Sequence, residues 1–328
     1  MGGSEGAAQF NADLWRSLAE LGLPQLIVPE DYGGLGLGMI DLAIVAEQLG
    51  TYAAPVPFLG HALATLAVSL VGSEAQKARW LPGLAAEDIL GTIALGEGDG
   101  VWLPSEWKLE LVDGLLSGVK TLVPNGAEAD LIVVGVVGGL AVVEKNDASH
   151  FSRLDSADRT RPVDTVTFVD APAEKLDGDN LAVDRVIDAA AVLIAADAFG
   201  GAEHCVKMSV DYAKVREQDG QPVAAFQGLR YQMVEMALST EPARGLYWYA
   251  AHAWDALPDK ARHAAAQAKA HLADMFLQVT RETAEAHGRI GFTWEHDTHF
   301  YMKRAIFDWA WLGSPERHRL RAADLAGW

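Results

Sequence analysis

The chain has 328 residues, half of them apolar, enough for two or three units with buried cores. Lysine and arginine number 26 against 45 aspartates and glutamates, and the resulting charge of −19 argues against nucleic acid and anionic membrane as partners. Cys205 is the single cysteine, so no disulfide forms within the chain, which fits a reducing cytoplasm; no apolar run reaches membrane-span length. The N-terminal MGGSEGAAQF has neither the basic nor the apolar region of a secretion signal.

Residues 11–85 read as helical, with Leu14, Leu18 and Leu21, then Leu42, Val45 and Leu49, then Leu59, Leu63, Leu66 and Leu70 at helical spacing. Ser73 opens a charged helix that Pro82 is expected to close. Between the first two helices lies VPEDYGGLGLG, residues 28–38, with glycines at 33, 34, 36 and 38. A phosphate loop of the dinucleotide kind follows a strand and is spaced G-x-G-x-x-G. This stretch follows a helix and lacks that spacing. It reads as a helix–helix connection whose backbone needs left-handed positions.

After about residue 88 the pattern changes to short runs rich in Val, Leu and Thr: KLELV, LLSGVKTLV, LIVVGVV, LAVVE and VDTVTFVD, separated by turn residues. They predict a small antiparallel sheet of five strands. Strand–helix–strand alternation is missing, which argues against a doubly wound dinucleotide fold. From residue 183 the helical period returns over 183–217, 224–257 and 259–287, implying a bundle. Pro242 is expected to kink the second of these helices. The fold class is therefore mainly α with a small β domain. Its expected parts are an N-terminal helical domain over 1–88, a middle antiparallel β domain over 89–182 and a C-terminal four-helix bundle over 183–328.

Four segments resemble one family. LGLPQLIVPEDYGGLGLGMIDLAIVAEQLG and GSEAQKARWLPGLAAEDI are similar to the N-terminal helical domain of acyl-CoA dehydrogenases. YAKVREQDGQPVAAFQ at 212–227 resembles the family's Tyr-x-x-x-Arg-x-x-Phe-Gly segment and the Gln that follows it. AHGRIGFTWEHDTHFYMKRA at 286–305 resembles its His-Gly-Gly-x-Gly segment. The resemblance implies FAD as cofactor and an acyl-CoA as substrate. It also implies a glutamate that removes the α proton while a hydride leaves the β carbon. In that family the FAD lies between subunits, its flavin on one chain's β domain and its diphosphate partly on the neighbour's bundle.

Against that pattern this chain has lost several parts. Leu312, in AWLGSPERHR, stands where one form of the family carries its base, and an ungapped count from Tyr212 puts Ala190 at the other base position. The same count keeps Asp188 but replaces the arginine that supports CoA with Ala191. The flavin loop Thr-Glu-Pro-x-x-Gly-Ser-Asp has become LGEGDG at 95–100, and Trp-Ile-Thr/Ser has become Leu122, Val123 and Pro124. Proline has no backbone N–H to give. Glu241 and Glu235 are possible relocated bases, although a solvated helix face explains both.

The residues that serve a neighbour's FAD are partly kept. The resemblance places Arg216, Phe226, Gln227, Glu285, Gly288, Arg289 and Gly291 at the cofactor. Arg216 suits a diphosphate through its guanidinium fork, with a helix-surface ion pair as the structural alternative. Asp219 replaces the usual Phe, Glu285 the usual Gln and Arg289 the second Gly. His287, His296 and His299 lack the ligand set that zinc requires.

These losses and retentions resemble the non-base subunit of the heterotetrameric acyl-CoA dehydrogenases of steroid side-chain degradation. The implied partners are a homologous base-containing subunit, an acyl-CoA and an acceptor like an electron-transfer flavoprotein. The isolated chain is then expected to be inactive. The alternatives are a homotetrameric enzyme with a relocated base and a non-catalytic stabilising or regulatory paralogue.

Overall fold

The computed structural model describes residues 10–328, apart from the side chain of Asp99. Residues 1–9, most of the stretch read for a secretion signal, lie outside the described residues. No helix among the described residues is long and apolar enough to cross a membrane. The chain divides into two compact units: one comprises residues up to Leu42 with Pro55–Ala190, the other Ala43–Ala54 with Ala191–Trp328.

In the first unit, α1 (Ala12–Glu20) starts where the Asn11 side chain accepts the Leu14 N–H at 3.0 Å. The glycine-rich stretch leads from there to α2 (Met39–Thr51), whose first turn lies in this unit. Gly33 and Gly36 have φ of 86° and 61°, and a Cβ on Gly34 would lie 1.9 Å from the Val28 carbonyl oxygen. The glycines therefore serve the local backbone. Next come α3 (Phe58–Val71), buried on almost every side, and α4 (Glu74–Ala85), opened by a Ser73–Gln76 capping box. Pro82 does not close α4. It lies on the exposed side, and the helix continues for one turn that carries buried Leu84 and Ala85.

Eight strands follow in two four-stranded sheets. The first has the order β1 (Gly91–Ala94), β4 (Leu131–Val136), β5 (Gly139–Glu144) and β8 (Glu174–Lys175). The second has the order β2 (Leu111–Val112), β3 (Leu115–Pro124), β7 (Val163–Pro172) and β6 (Ser149–Arg153). Their shared core contains Leu116, Val123, Ile132, Val134, Val143, Val166 and Phe168. The expected five-stranded antiparallel sheet is thus corrected in two ways. There are two sheets, and β1 pairs with β4 in parallel, Gly91 opposite Leu131. β1 and β6 escape the sequence reading because GTIA is short and SHFSR is polar. All six residues of β4 are buried, which explains why LIVVGV shows no alternation.

The second unit is helical. α5 (Asn180–Val215) enters it at Ala191 and ends at a hairpin of β9 (Glu217–Gln218) and β10 (Gln221–Pro222). Asp219 and Gly220, with φ of 53° and 78°, give that hairpin its two left-handed turn positions. The predicted second long helix is two: α6 (Gln227–Thr240) and α7 (Arg244–Ala256), joined by a tight turn over Glu241–Ala243. Pro242 breaks the helix there, as its missing N–H requires. α8 (Pro258–His287), α9 (Thr298–Ala310) and α10 (Pro315–Ala326) complete the unit. α5 crosses the second half of α2 closely enough that a Cβ on Gly50 would lie 2.1 Å from the Asp197 carbonyl oxygen. Beside this crossing, buried Arg304 pairs with Asp197 at 3.2 Å.

Candidate functional site

Two chain ends meet at an open cavity of about 750 Å³ in the helical unit. One is the end of α5 with its hairpin; the other is the end of α8. Arg216 follows α5 directly, its N–H bonded to the Tyr212 carbonyl and its own carbonyl accepting from Val223 N–H at 2.7 Å. Its backbone is therefore held on both sides while its side chain stays exposed. At the other end, α8 stops at Gly288, whose φ of 63° and ψ of −141° suit glycine and few other residues. Arg289 follows in a tight turn over Gly288–Phe292.

Five of the seven residues expected at a cofactor line this cavity: Arg216, Phe226, Glu285, Gly288 and Arg289. Gln227 and Gly291 do not. Gln227 begins α6 and donates its amide to the Tyr231 hydroxyl at 2.6 Å. Gly291 is buried against α8, where a Cβ would lie 2.5 Å from the Ala284 carbonyl oxygen. It is a packing glycine. Tyr212, Asp219, His287 and Glu295 line the cavity without having been expected there. The Tyr212–Arg216 spacing of one helical turn is the sequence signal that points to the first.

The cavity is mixed in charge. Among the described residues neither guanidinium, of Arg216 or of Arg289, has an ion-pair partner, so both are available to an anion. Asp219, Glu285 and Glu295 face the same space. Glu285 is engaged by the Gln232 amide at 3.3 Å. His287 is 3% exposed, its Nδ1 is 2.7 Å from the Thr283 carbonyl oxygen and burial holds its pKa below the usual histidine value. The donor set fits the diphosphate part of a dinucleotide: two free guanidiniums and a glycine with open space on its Cβ side.

Ala190 and Leu312, expected from the sequence at base positions, have no side chain that accepts a proton. Ala190 is fully buried in α5. Leu312 is buried on the turn after α9 with φ of 67°. That turn is pinned: buried Lys269 donates to the carbonyls of Asp308 at 2.5 Å and Gly313 at 3.4 Å, and His318 Nε2 donates to the Leu312 carbonyl at 3.1 Å. Ala191, expected from the sequence at the CoA-arginine position, is also fully buried.

In the first unit the loop at 95–100 is packed at Leu95 and Gly96 and exposed at Gly98 and Gly100. A Cβ on Gly96 would meet the Thr121 carbonyl oxygen at 2.8 Å and the Trp102 ring at 3.1 Å. Glu97 takes the Lys108 and Leu109 N–H groups at 2.9 and 3.1 Å. Leu122 has φ of 54°, Val123 is buried, and the Pro124 carbonyl accepts the Thr92 hydroxyl. Gly96, Leu122, Val123 and Pro124 offer a flavin ring no side-chain donor.

A second cavity of about 510 Å³ in the helical unit lies beside the Pro242 break, walled by Phe199, Glu203, His204, Lys207, Thr240 and Glu241. Glu203 pairs with Arg244 at 2.5 Å. Glu241 has no ion-pair partner among the described residues. Glu235 lines neither cavity.

Comparison with known proteins agrees with this architecture. Residues 4–88 match the acyl-CoA dehydrogenase N-terminal domain and residues 177–326 the acyl-CoA dehydrogenase C-terminal domain. Acyl-CoA dehydrogenase IpdE2 of Mycobacterium tuberculosis is 31% identical over 97% of this chain and 88% of its own length. A variant of the Tcur3481–Tcur3483 steroid ACAD superposes with a TM-score of 0.90 at 28% identity, covering 98% of this chain and 90% of that one. PigA, solved with FAD and proline, shares the fold with a TM-score of 0.86 at 19% identity, covering 97% of this chain and 90% of that one. The chain belongs to the acyl-CoA dehydrogenase family, FAD-dependent oxidoreductases built on this helix–sheet–helix fold.

Proposed function

We propose that this chain is the non-base subunit of an α2β2 acyl-CoA dehydrogenase that desaturates an acyl-CoA between its α and β carbons. A homologous partner supplies the glutamate and the flavin surface. This chain completes that partner's FAD site, and its expected parts over 1–88, 89–182 and 183–328 divide the work accordingly. The observation that carries the reading is the cavity where unpaired Arg216 and Arg289 meet Gly288, in a chain whose base positions are Ala190 and Leu312. A bound FAD would supply hydride acceptance at the β carbon. Arg216 and Arg289 would hold its diphosphate and balance its charge, with Phe226 and Gly288 on the same cavity wall. The steroid named for the Tcur3481–Tcur3483 structure supports a bulky, steroid side-chain CoA thioester as substrate, with an electron-transfer flavoprotein-like acceptor.

Expression of the chain alone and with its candidate partner tests the proposal. The chain alone should show no acyl-CoA turnover, and the pair should turn over with bound flavin. Turnover by the isolated flavin-loaded chain would overturn it.

The Glu241 carboxylate on the second cavity favours one other reading, a homotetramer with Glu241 as base. Activity of the chain alone that Glu241→Gln abolishes would establish that reading.

A further inference from the structure

His287 has one nitrogen committed and one without a partner. A carbonyl oxygen can only accept, so the 2.7 Å contact to Thr283 places the proton on Nδ1. Nε2 is then a lone-pair acceptor. It is buried, and no described group donates to it. Burial also disfavours the charged ring, so the acceptor persists at neutral pH. The imidazole lies against the rings of Tyr212 and His296, each with its centroid 4.4 Å away.

Buried acceptors in folded proteins generally find a donor. Here the residue lines the same cavity as the two unpaired guanidiniums. A ligand that satisfies all three groups carries anionic oxygens for Arg216 and Arg289 and an O–H or N–H for His287. The oxygens of a dinucleotide's diphosphate, esterified at both ends, supply the first and not the second. A nucleoside diphosphate supplies both, its ribose hydroxyls lying next to its phosphates. We propose that His287 Nε2 accepts a hydrogen bond from a ribose hydroxyl, making this histidine the residue that selects a hydroxylated nucleotide. The inference rests on the reading of the cavity as a diphosphate site. His296 packs against the His287 ring from the turn before α9, and its Nδ1 accepts the Thr298 N–H at 3.4 Å.

Calorimetric titration of the full chain with ADP and with 2′,3′-dideoxy-ADP tests this. The wild type should bind ADP about five- to tenfold more tightly than the dideoxy analogue, the range of one neutral hydrogen bond. His287→Phe should bind both alike, at the weaker level. Equal affinities for the wild type, or a preference that survives in His287→Phe, would overturn the role of His287 and leave the diphosphate reading standing. Binding of neither nucleotide would overturn both. A nitrogen-15 spectrum of the wild type gives an answer independent of the variant's folding. The Nε2 resonance should move with ADP and stay in place with the dideoxy analogue; a resonance that responds equally to the two contradicts the proposal.

Discussion

Lys120 donates to Glu97 across 2.8 Å, with the lysine side chain wholly buried and that of Glu97 11% exposed. The ammonium also lies 5.2 Å above the Trp107 ring. In this family the same loop faces a flavin. Here Glu97 also takes the Lys108 and Leu109 N–H groups, and its partner Lys120 is buried in the first unit. Lys120→Met strands the Glu97 charge, so stability should fall by about 3 kcal/mol. Denaturant melts measure this. A loss below about 1 kcal/mol would mean that the loop opens to water.

Stability should decline in acid because of two buried histidines. Burial pushes His61 down to about 4 from 6.5, and burial with the neighbouring Lys269 and Arg321 charges pushes His318 down to about 3. Above pH 6.5 both are neutral whether the chain is folded or not. Below it the unfolded chain takes up protons that the folded chain refuses, so stability is lost as pH falls toward those depressed values. His61 alone contributes at most about 3 kcal/mol to that loss. Thermal melts of the wild type and His61→Gln over this range check it: the variant should show the shallower slope.

Arg216 is exposed and unpaired, so its removal should leave the fold alone. Arg216→Ala is expected to change stability by less than about 0.5 kcal/mol. FAD retention in the co-expressed complex should fall by roughly tenfold or more, the worth of a charge-assisted bond. Arg216→Lys should recover part of it, since a point charge replaces the fork. Flavin content after gel filtration reports both variants, and unchanged content in Arg216→Ala removes this residue from the site.

The crossing of α2 and α5 tolerates no side chain at Gly200, where a Cβ would lie 1.9 Å from the Glu47 carbonyl oxygen. Gly200→Ala should cost about 3 kcal/mol or prevent folding. Gly228→Ala, with open space around it, should be neutral or slightly stabilising. Parallel melts of the two variants separate close packing from a general intolerance to alanine.

Much of the helical framework is legible in the sequence from leucines at helical spacing, as with buried Leu59, Leu63 and Leu66 in α3, whereas Leu21 after α1 is exposed and Trp15 is the buried residue there. The sheets are less so. β4 is buried on both sides and shows no alternation, and its parallel partner β1 is four residues long. At the cavity, Tyr212 and Arg216 lie one helical turn apart and can be read together. The family resemblance links Gly288 and Arg289 to Arg216, whereas the place of the neighbouring His287 in the cavity follows from the fold, which brings the ends of α5 and α8 to one place. Nor does a family position reveal that the Gln227 amide turns to Tyr231 and that Gly291 packs on Ala284.

The most direct test of shared-site assembly is the flavin-to-protein ratio of the purified complex, taken from absorbance and quantitative amino-acid analysis. One FAD per heterodimer is predicted, with none on this chain alone. Two FAD per heterodimer, or one bound stoichiometrically to the isolated chain, would contradict the account.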